Sequence, residues 1–230
     1  MKIVRGIASF FYTMFIYLGL PLLGWGLKDL QRFFSVPQFI GYSISIVLLG
    51  LLAAYTMIRR PGGMGNLGKG LEDQFVARQR IVRFVVVMML FGALVFVPFT
   101  DRRAIFIMAG GPVIRWIGLV LMILGMGLIL GSSWALGRLY SPEVTLQTEH
   151  RLITDGLYCY IRHPRYLGGM VLGIGLSLLF RSWIGLALTG VFVLIILFRI
   201  KDEEALMQRA FGAAWADYCK RSWRLVPFIF

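Results

Sequence analysis

The chain has 230 residues, 58% of them hydrophobic and only 15% charged. A soluble domain of this size carries about a quarter charged residues, so the composition excludes an ordinary water-soluble fold and points to a polytopic membrane protein. The net charge of +13 raises nucleic acid as a partner. Three quarters of the basic residues, however, fall on alternate segments between apolar runs, which is the pattern of membrane topology rather than of a nucleic-acid surface.

In chain order, the first apolar run covers about 6–26, behind Lys2 and Arg5. It has no A-x-A-like cleavage site and exceeds a signal-peptide core, so it is expected to remain as a span. A second run covers 39–58. The segment 59–80, "RRPGGMGNLGKGLEDQFVARQR", is basic and glycine-rich. Its Gly63, Gly65 and Gly68 match the dinucleotide fingerprint literally, but that loop needs a preceding strand and a following helix. Neither is predicted, and a linker or lid is expected. Further spans follow at about 81–99 and 116–136. Then come two shorter runs, 166–180 and 183–199, separated only by Arg181 and Ser182, which predicts a tight helical hairpin, fully crossing or else tilted and falling short.

The expected fold is therefore an all-α transmembrane helical bundle of about six spans. N-terminal membrane helices over 1–136 are followed by a C-terminal region, 137–230, that carries the chemistry. The basic residues cluster at the N-terminus and in 59–83, 137–165 and 199–230, so both termini and these segments are expected on the cytoplasmic face, against anionic lipid. Cys159 and Cys219 fall on the same side, where thiols stay reduced, and read as ordinary small side chains. Gly127 with Gly131, and Gly169 with Gly173, have the spacing that lets helices approach closely. Beyond Arg199, the residues Met207, Phe211, Ala214, Trp215 and Tyr218 recur at helical spacing, predicting an amphipathic packing helix.

The stretch 158–169, "YCYIRHPRYLGG", concentrates polar residues at the mouth of an apolar run. Pro164 disfavours helical geometry at His163 and suits the first turn of a helix, so a helix is expected to start there. Such a terminus, with Arg162, Arg165 and the tyrosines Tyr158, Tyr160 and Tyr166, suits an anionic ligand; a juxtamembrane anchor belt has the same composition. Farther on, Arg199 and Glu203 are four residues apart at the end of an apolar span. That is either a plain intrahelical pair or a functional one, as ionisable groups in spans usually are.

Residues 150–168, "HRLITDGLYCYIRHPRYLG", resemble the H-x-L-x-T-x-G-x-Y-x-x-x-R-H-P-x-Y-x-G signature of isoprenylcysteine carboxyl methyltransferases. Residues 203–221, "EEALMQRAFGAAWADYCKR", are similar to the second motif of that family. Glu143, Trp215 and Ser222-Trp223 depart from its usual residues. The resemblance implies an integral-membrane methyltransferase that carries a methyl group from S-adenosylmethionine to the carboxylate of a lipophilic or prenylated acceptor entering from the bilayer. It implies a cofactor wall of His150, Arg151, Leu152, Ile153, Tyr158, His163, Pro164, Arg165 and Tyr166, with Glu203 holding a polar group of the cofactor. Arg199 would orient the acceptor carboxylate and so be the catalytic and substrate-binding residue. No metal and no nucleic acid are expected. The site would face the cytoplasm, from the plasma or inner membrane in a bacterium. Phospholipid N- or S-methyltransferases and NADPH-dependent sterol-type reductases share the R-H-P-x-Y element, and a non-enzymatic membrane protein is the remaining alternative.

Overall fold

A computed structural model describes residues 2–59, 75–136 and 152–228. Helices α1 (Lys2–Met14) and α2 (Leu20–Trp25) form one continuous rod, joined by a π-helical turn at Phe15–Gly19. Short α3 (Leu30–Phe34) leads into α4 (Pro37–Arg59). Then come α5 (Phe75–Arg102), α6 (Gly111–Leu136), α7 (Pro164–Leu179), α8 (Trp183–Phe211) and α9 (Ala213–Lys220). Among the described residues five helical segments are long and apolar enough to cross a bilayer: Lys2–Trp25, α4, Ile81–Arg102, Gly111–Ala135 and α8. The fold is an all-α integral-membrane bundle.

One expectation needs correction. The short run 166–180 is α7, whose 16 residues give about 24 Å, short of the ~30 Å hydrocarbon thickness, in line with a hairpin arm that does not fully cross. The hairpin with α8 is present, turning at Phe180, Arg181 and Ser182, where the Ser182 hydroxyl accepts from the Gly185 amide. The span 183–199, by contrast, does not stop at Arg199. Nothing between there and Phe211 breaks a helix, and α8 runs for 29 residues until Gly212, at φ 50°, ends it. Half of the expected separate amphipathic helix is thus the continuation of a span.

The tightest seam joins α6 to α7, and glycine makes it. A methyl group at Gly118 would lie 2.2 Å from the Leu179 nitrogen, and one at Gly175 would lie 2.4 Å from the Met122 nitrogen. Gly125 and Gly168 face each other in the same seam. Gly127 lies in open space and Gly131 meets only Leu157, so that predicted pair is not the α6–α7 contact. Gly169 and Gly173 do receive a neighbour, namely Phe192 and Thr189 of α8.

The opposite end of the hairpin packs on an aromatic stack, Phe33 on Phe39 at 4.6 Å and Phe39 on Phe180 at 4.9 Å. Beside it lies a buried ion cluster. Arg115 donates to both Asp101 oxygens (2.7 and 3.0 Å) and to the Leu179 carbonyl (2.7 Å), while Arg181 donates to Asp101 Oδ1 at 3.0 Å. Arg115 also sits over the Phe39 ring. The cluster ties α5, α6 and the α7–α8 turn together. In the first rod, the π-turn exposes the Tyr17 carbonyl, which accepts from the Tyr42 hydroxyl of α4. Before this turn the rod packs on α4, and after it on α5.

Candidate active site

α7 begins at Pro164, as the proline requires, with His163 at φ −124° and ψ 56° outside the helix. The amides of Tyr166 and Leu167 turn back onto the His163 carbonyl (3.1 and 3.2 Å), so this first turn offers fewer open donors than the sequence suggests. The strand-like stretch before it is held by the C-terminal tail. Arg162 N donates to Trp223 O (2.7 Å), Trp223 N to Tyr160 O (2.8 Å), and His163 N to Arg224 O (3.1 Å). Tyr218, on α9, donates its hydroxyl to the Tyr158 carbonyl at 2.7 Å, and burial pushes that phenol up to about 12. Burial also raises the Cys219 thiol, and Cys159 and Cys219 are both free thiols.

This backbone clasp brings two acids of α8 against the α7 entrance. Glu203 Oε1 accepts from Arg199 Nε at 2.9 Å and from the Tyr166 hydroxyl, which in turn accepts from Arg199 Nε at 2.7 Å. The His163 ring stacks on Tyr166 with centroids 5.6 Å apart. Its Nδ1 is 3.6 Å from Glu203 Oε2, and its Nε2 is 3.4 Å from Glu204 Oε1. Despite that distance, Nε2 is buried and misaligned for a hydrogen bond. Glu204 is otherwise saturated, taking Arg162 Nε at 3.0 Å and Arg224 Nε at 2.9 Å.

Arg162, His163, Tyr166, Arg199 and Glu203 wall one end of a cavity of about 620 Å³ between α5, α7 and α8. Of the sequence-predicted residues, Leu152, Ile153, Tyr158, His163, Arg165, Tyr166, Arg199 and Glu203 all line it. Pro164 is buried and shapes the entrance without lining it. His150 and Arg151, like Glu143 and 60–74 of the glycine-rich segment, lie outside the described residues. The stripe read as plain packing also faces the cavity, through Met207, Phe211, Trp215 and Tyr218; Ala214 of that stripe is exposed.

Sequence reasoning missed three contributors. Glu204 reads as a neighbour of Glu203, yet it locks Arg162 and Arg224 into the clasp. Tyr17, in the π-turn of the first rod, and Arg83, on α5, line the cavity from outside the motif region. Arg83 carried a signal, a charge just inside the α5 span; Tyr17 carried none, because only the π-turn sets its direction.

The chain matches the phospholipid methyltransferase family over residues 113–214. It is 35% identical over 83 residues to the protein-S-isoprenylcysteine O-methyltransferase of Schizosaccharomyces pombe, covering 35% of each chain. It is 30% identical over 115 residues to protein-S-isoprenylcysteine O-methyltransferase B of Arabidopsis thaliana, covering 49% of this chain and 58% of that one. It is also 31% identical over 90 residues to the Delta(14)-sterol reductase of Mus musculus, covering 36% of this chain and 21% of that one. These matches span from about a fifth to under two thirds of the relatives' own lengths. The fold is similar to that of a eukaryotic intramembrane Ras methyltransferase, isoprenylcysteine carboxyl methyltransferase, with a TM-score of 0.53 at 19% identity, over 98% of this chain and 84% of that one.

The helical bundle and its clasped C-terminal hairpin therefore share the fold of that membrane protein, and residues 113–214 within it match the phospholipid methyltransferase family. Over its matched segments the chain is similar to isoprenylcysteine carboxyl methyltransferases in sequence, and it shares the fold of one of them.

Proposed function

We propose that the protein transfers a methyl group from S-adenosylmethionine to the carboxylate of a lipophilic, isoprenylcysteine-like acceptor. The observation that carries this reading is the placement of Arg199. Its guanidinium is held by Glu203 and Tyr166 where the charged end of the cavity gives way to an apolar limb. A lipophilic acid would need that junction, with its tail in the limb and its head on the guanidinium.

The residues present suit the cofactor. The buried His163 Nε2 without an aligned partner and the Glu203 carboxylate on the cavity wall offer polar contacts for its amino-acid or ribose part. Leu152, Ile153 and Tyr158 offer an apolar wall, and Arg165 and Tyr166 close it. By position in the motif, His150 and Arg151 belong to the same wall, and Pro164 sets its bend. When bound, S-adenosylmethionine supplies an electrophilic methyl group.

The work left to the chain is positional. A carboxylate is already ionised near neutral pH and needs no general base. Arg199 gives it a planar two-point contact, and Glu203 with Tyr166 fixes the plane of that guanidinium. Holding the reactants in line while keeping water out supplies the catalysis. An amine acceptor, as in phospholipid N-methylation, would be repelled by the same guanidinium. The acceptor enters from the bilayer, and the distribution of basic residues supports a cytoplasmic position for the charged end of the cavity, which in a bacterial cell would mean the plasma or inner membrane.

The identity to a sterol reductase favours a second reading, an NADPH-dependent reductase built on the same hairpin. Calorimetric titration of the detergent-purified protein with S-adenosylhomocysteine and, in parallel, NADPH decides between them. Heat is expected with the first and none with the second. The reverse result overturns the methyl-transfer reading.

A further inference from the structure

Below Arg199 the cavity continues as an apolar limb with a definite end. Along α8 its wall is built by residues three or four apart, from Ile196 through Phe192 and Leu188 to Gly185. Gly185 and Arg199 are fourteen residues apart on one helix, or about 21 Å. On α5 the wall runs from Arg83 to Val97, the same number of residues. At that depth the three helices meet. A methyl group on Gly185 would lie 2.7 Å from Ser177 Oγ of α7 and 3.1 Å from Val97 Cγ2 of α5.

This floor is pinned from beneath. The Ser182 hydroxyl meets Thr100 Oγ1 at 2.9 Å, and the Ser182 amide bonds the Ser177 carbonyl at 2.8 Å. Arg181, in the same turn, is bound to the buried Asp101. The floor is therefore fixed to α5 and α6 by groups that lie outside the cavity, and deepening the limb at this floor would break buried ion pairs.

We infer that the limb is a length gauge for the acceptor. One linear apolar chain lies along it, head at Arg199 and tail against Val97, Ser177 and Gly185, and the Asp101 cluster holds the stop in place. The inference rests on the methyl-transfer reading for the chemistry at the head, but the gauge itself is read by binding.

The test uses a homologous series of alkylthio carboxylic acids, from shorter than the limb to longer, with the full chain in lipid nanodiscs. Binding is followed by thermal stabilisation without cofactor, and methyl transfer is followed separately. Stabilisation is expected to rise with chain length and break where the limb is full. Ala93→Phe and Leu188→Trp narrow the limb and move the break to shorter chains, lowering the long-to-short preference on the order of tenfold or more, as a filled apolar pocket does. Val97→Ala, which only removes bulk, moves it to longer ones. A break at one length in the wild type and all three variants, or no break at all, overturns the gauge. If the acids bind with a break but receive no methyl group, the gauge stands and the methyl-transfer reading falls. If they are methylated with no break, only the gauge falls.

Discussion

Asp101 and Glu203 are carboxylates at opposite ends of the α7–α8 hairpin, and arginine meets both. Asp101 is fully buried, and two guanidiniums from two different segments occupy its two oxygens. The Asp101 carboxylate does not line the cavity. Glu203 keeps 18% of its side chain exposed, places one oxygen on Arg199 and Tyr166, and leaves the other 3.6 Å from His163. The first carboxylate is coordinatively closed, so its binding energy goes into the fold. The second faces a cavity with contacts still to make. Residue type does not separate a staple from a site here; saturation does.

The contrast breaks most visibly at the closed end. Asp101→Ala leaves Arg115 buried without its counter-charge, and loss of one partner of a buried pair costs about 3–5 kcal/mol. Unfolding in detergent is expected to shift by that amount, while cofactor binding measured well below the transition stays intact. An Asp101→Ala protein as stable as wild type would remove the distinction.

At the open end the expected loss is chemical. Arg199→Ala should lower turnover about a hundredfold or more, the scale of a misplaced reactant, with S-adenosylhomocysteine affinity near normal. Arg199→Lys keeps the charge without the planar fork and should resemble alanine. A lysine variant with normal turnover on a prenylcysteine-like acid would refute the clamp. Glu203→Gln sharpens the same comparison from the cofactor side. Loss of a charged acceptor worth about 1.5–3 kcal/mol should weaken S-adenosylhomocysteine by roughly ten- to a hundredfold, read by calorimetry. Unchanged affinity would assign Glu203 to Arg199 alone.

The smallest effect concerns Tyr218, which braces the clasp. Its folded pKa of about 12 lies above the ordinary tyrosine value of 10.0, so the folded state keeps a proton that the unfolded chain loses. The stabilisation is complete below about pH 10 and disappears as pH rises through 12. Tyr218→Phe should cost about 1 kcal/mol at neutral pH and remove the decline attached to this group between those limits, in an unfolding series against pH.

Much of the open end is legible in the sequence because its signals are local. Pro164 announces the helix start, and the four-residue spacing of Arg199 and Glu203 puts them on one face whether or not the span stops there. The closed end is not legible. Asp101, Arg115 and Arg181 look like three charges in outer loops until tertiary packing brings them together. The clasp hides for the same reason, since Trp223 engages through its backbone N–H and carbonyl, and Arg224 through its carbonyl and a guanidinium whose partner, Glu204, lies twenty residues away. The α6–α7 seam shows how pattern misleads: the four-residue glycine spacing at 127 and 131 faces open space and Leu157, while the seven-residue spacing of Gly118 and Gly125 makes the contact. Spacing says that a close approach is possible, and only the partner helix says where.

The π-turn at Phe15–Gly19 acts on the first rod as an insertion of one residue. An α-helix turns about 100° per residue, so one extra position swings everything after it by more than a quarter of a circle. That swing lets a single rod serve two masters, α4 along its first half and α5 along its second, and sets Gly24 where the Val95 backbone leaves no room for a side chain. The Tyr42 hydroxyl satisfies the carbonyl this irregularity exposes. Deleting one residue between Phe15 and Gly19 would leave composition and hydropathy almost untouched and still turn Gly24 away from Val95. For this rod, hydropathy sets membership of the membrane, and a count of one sets the neighbour.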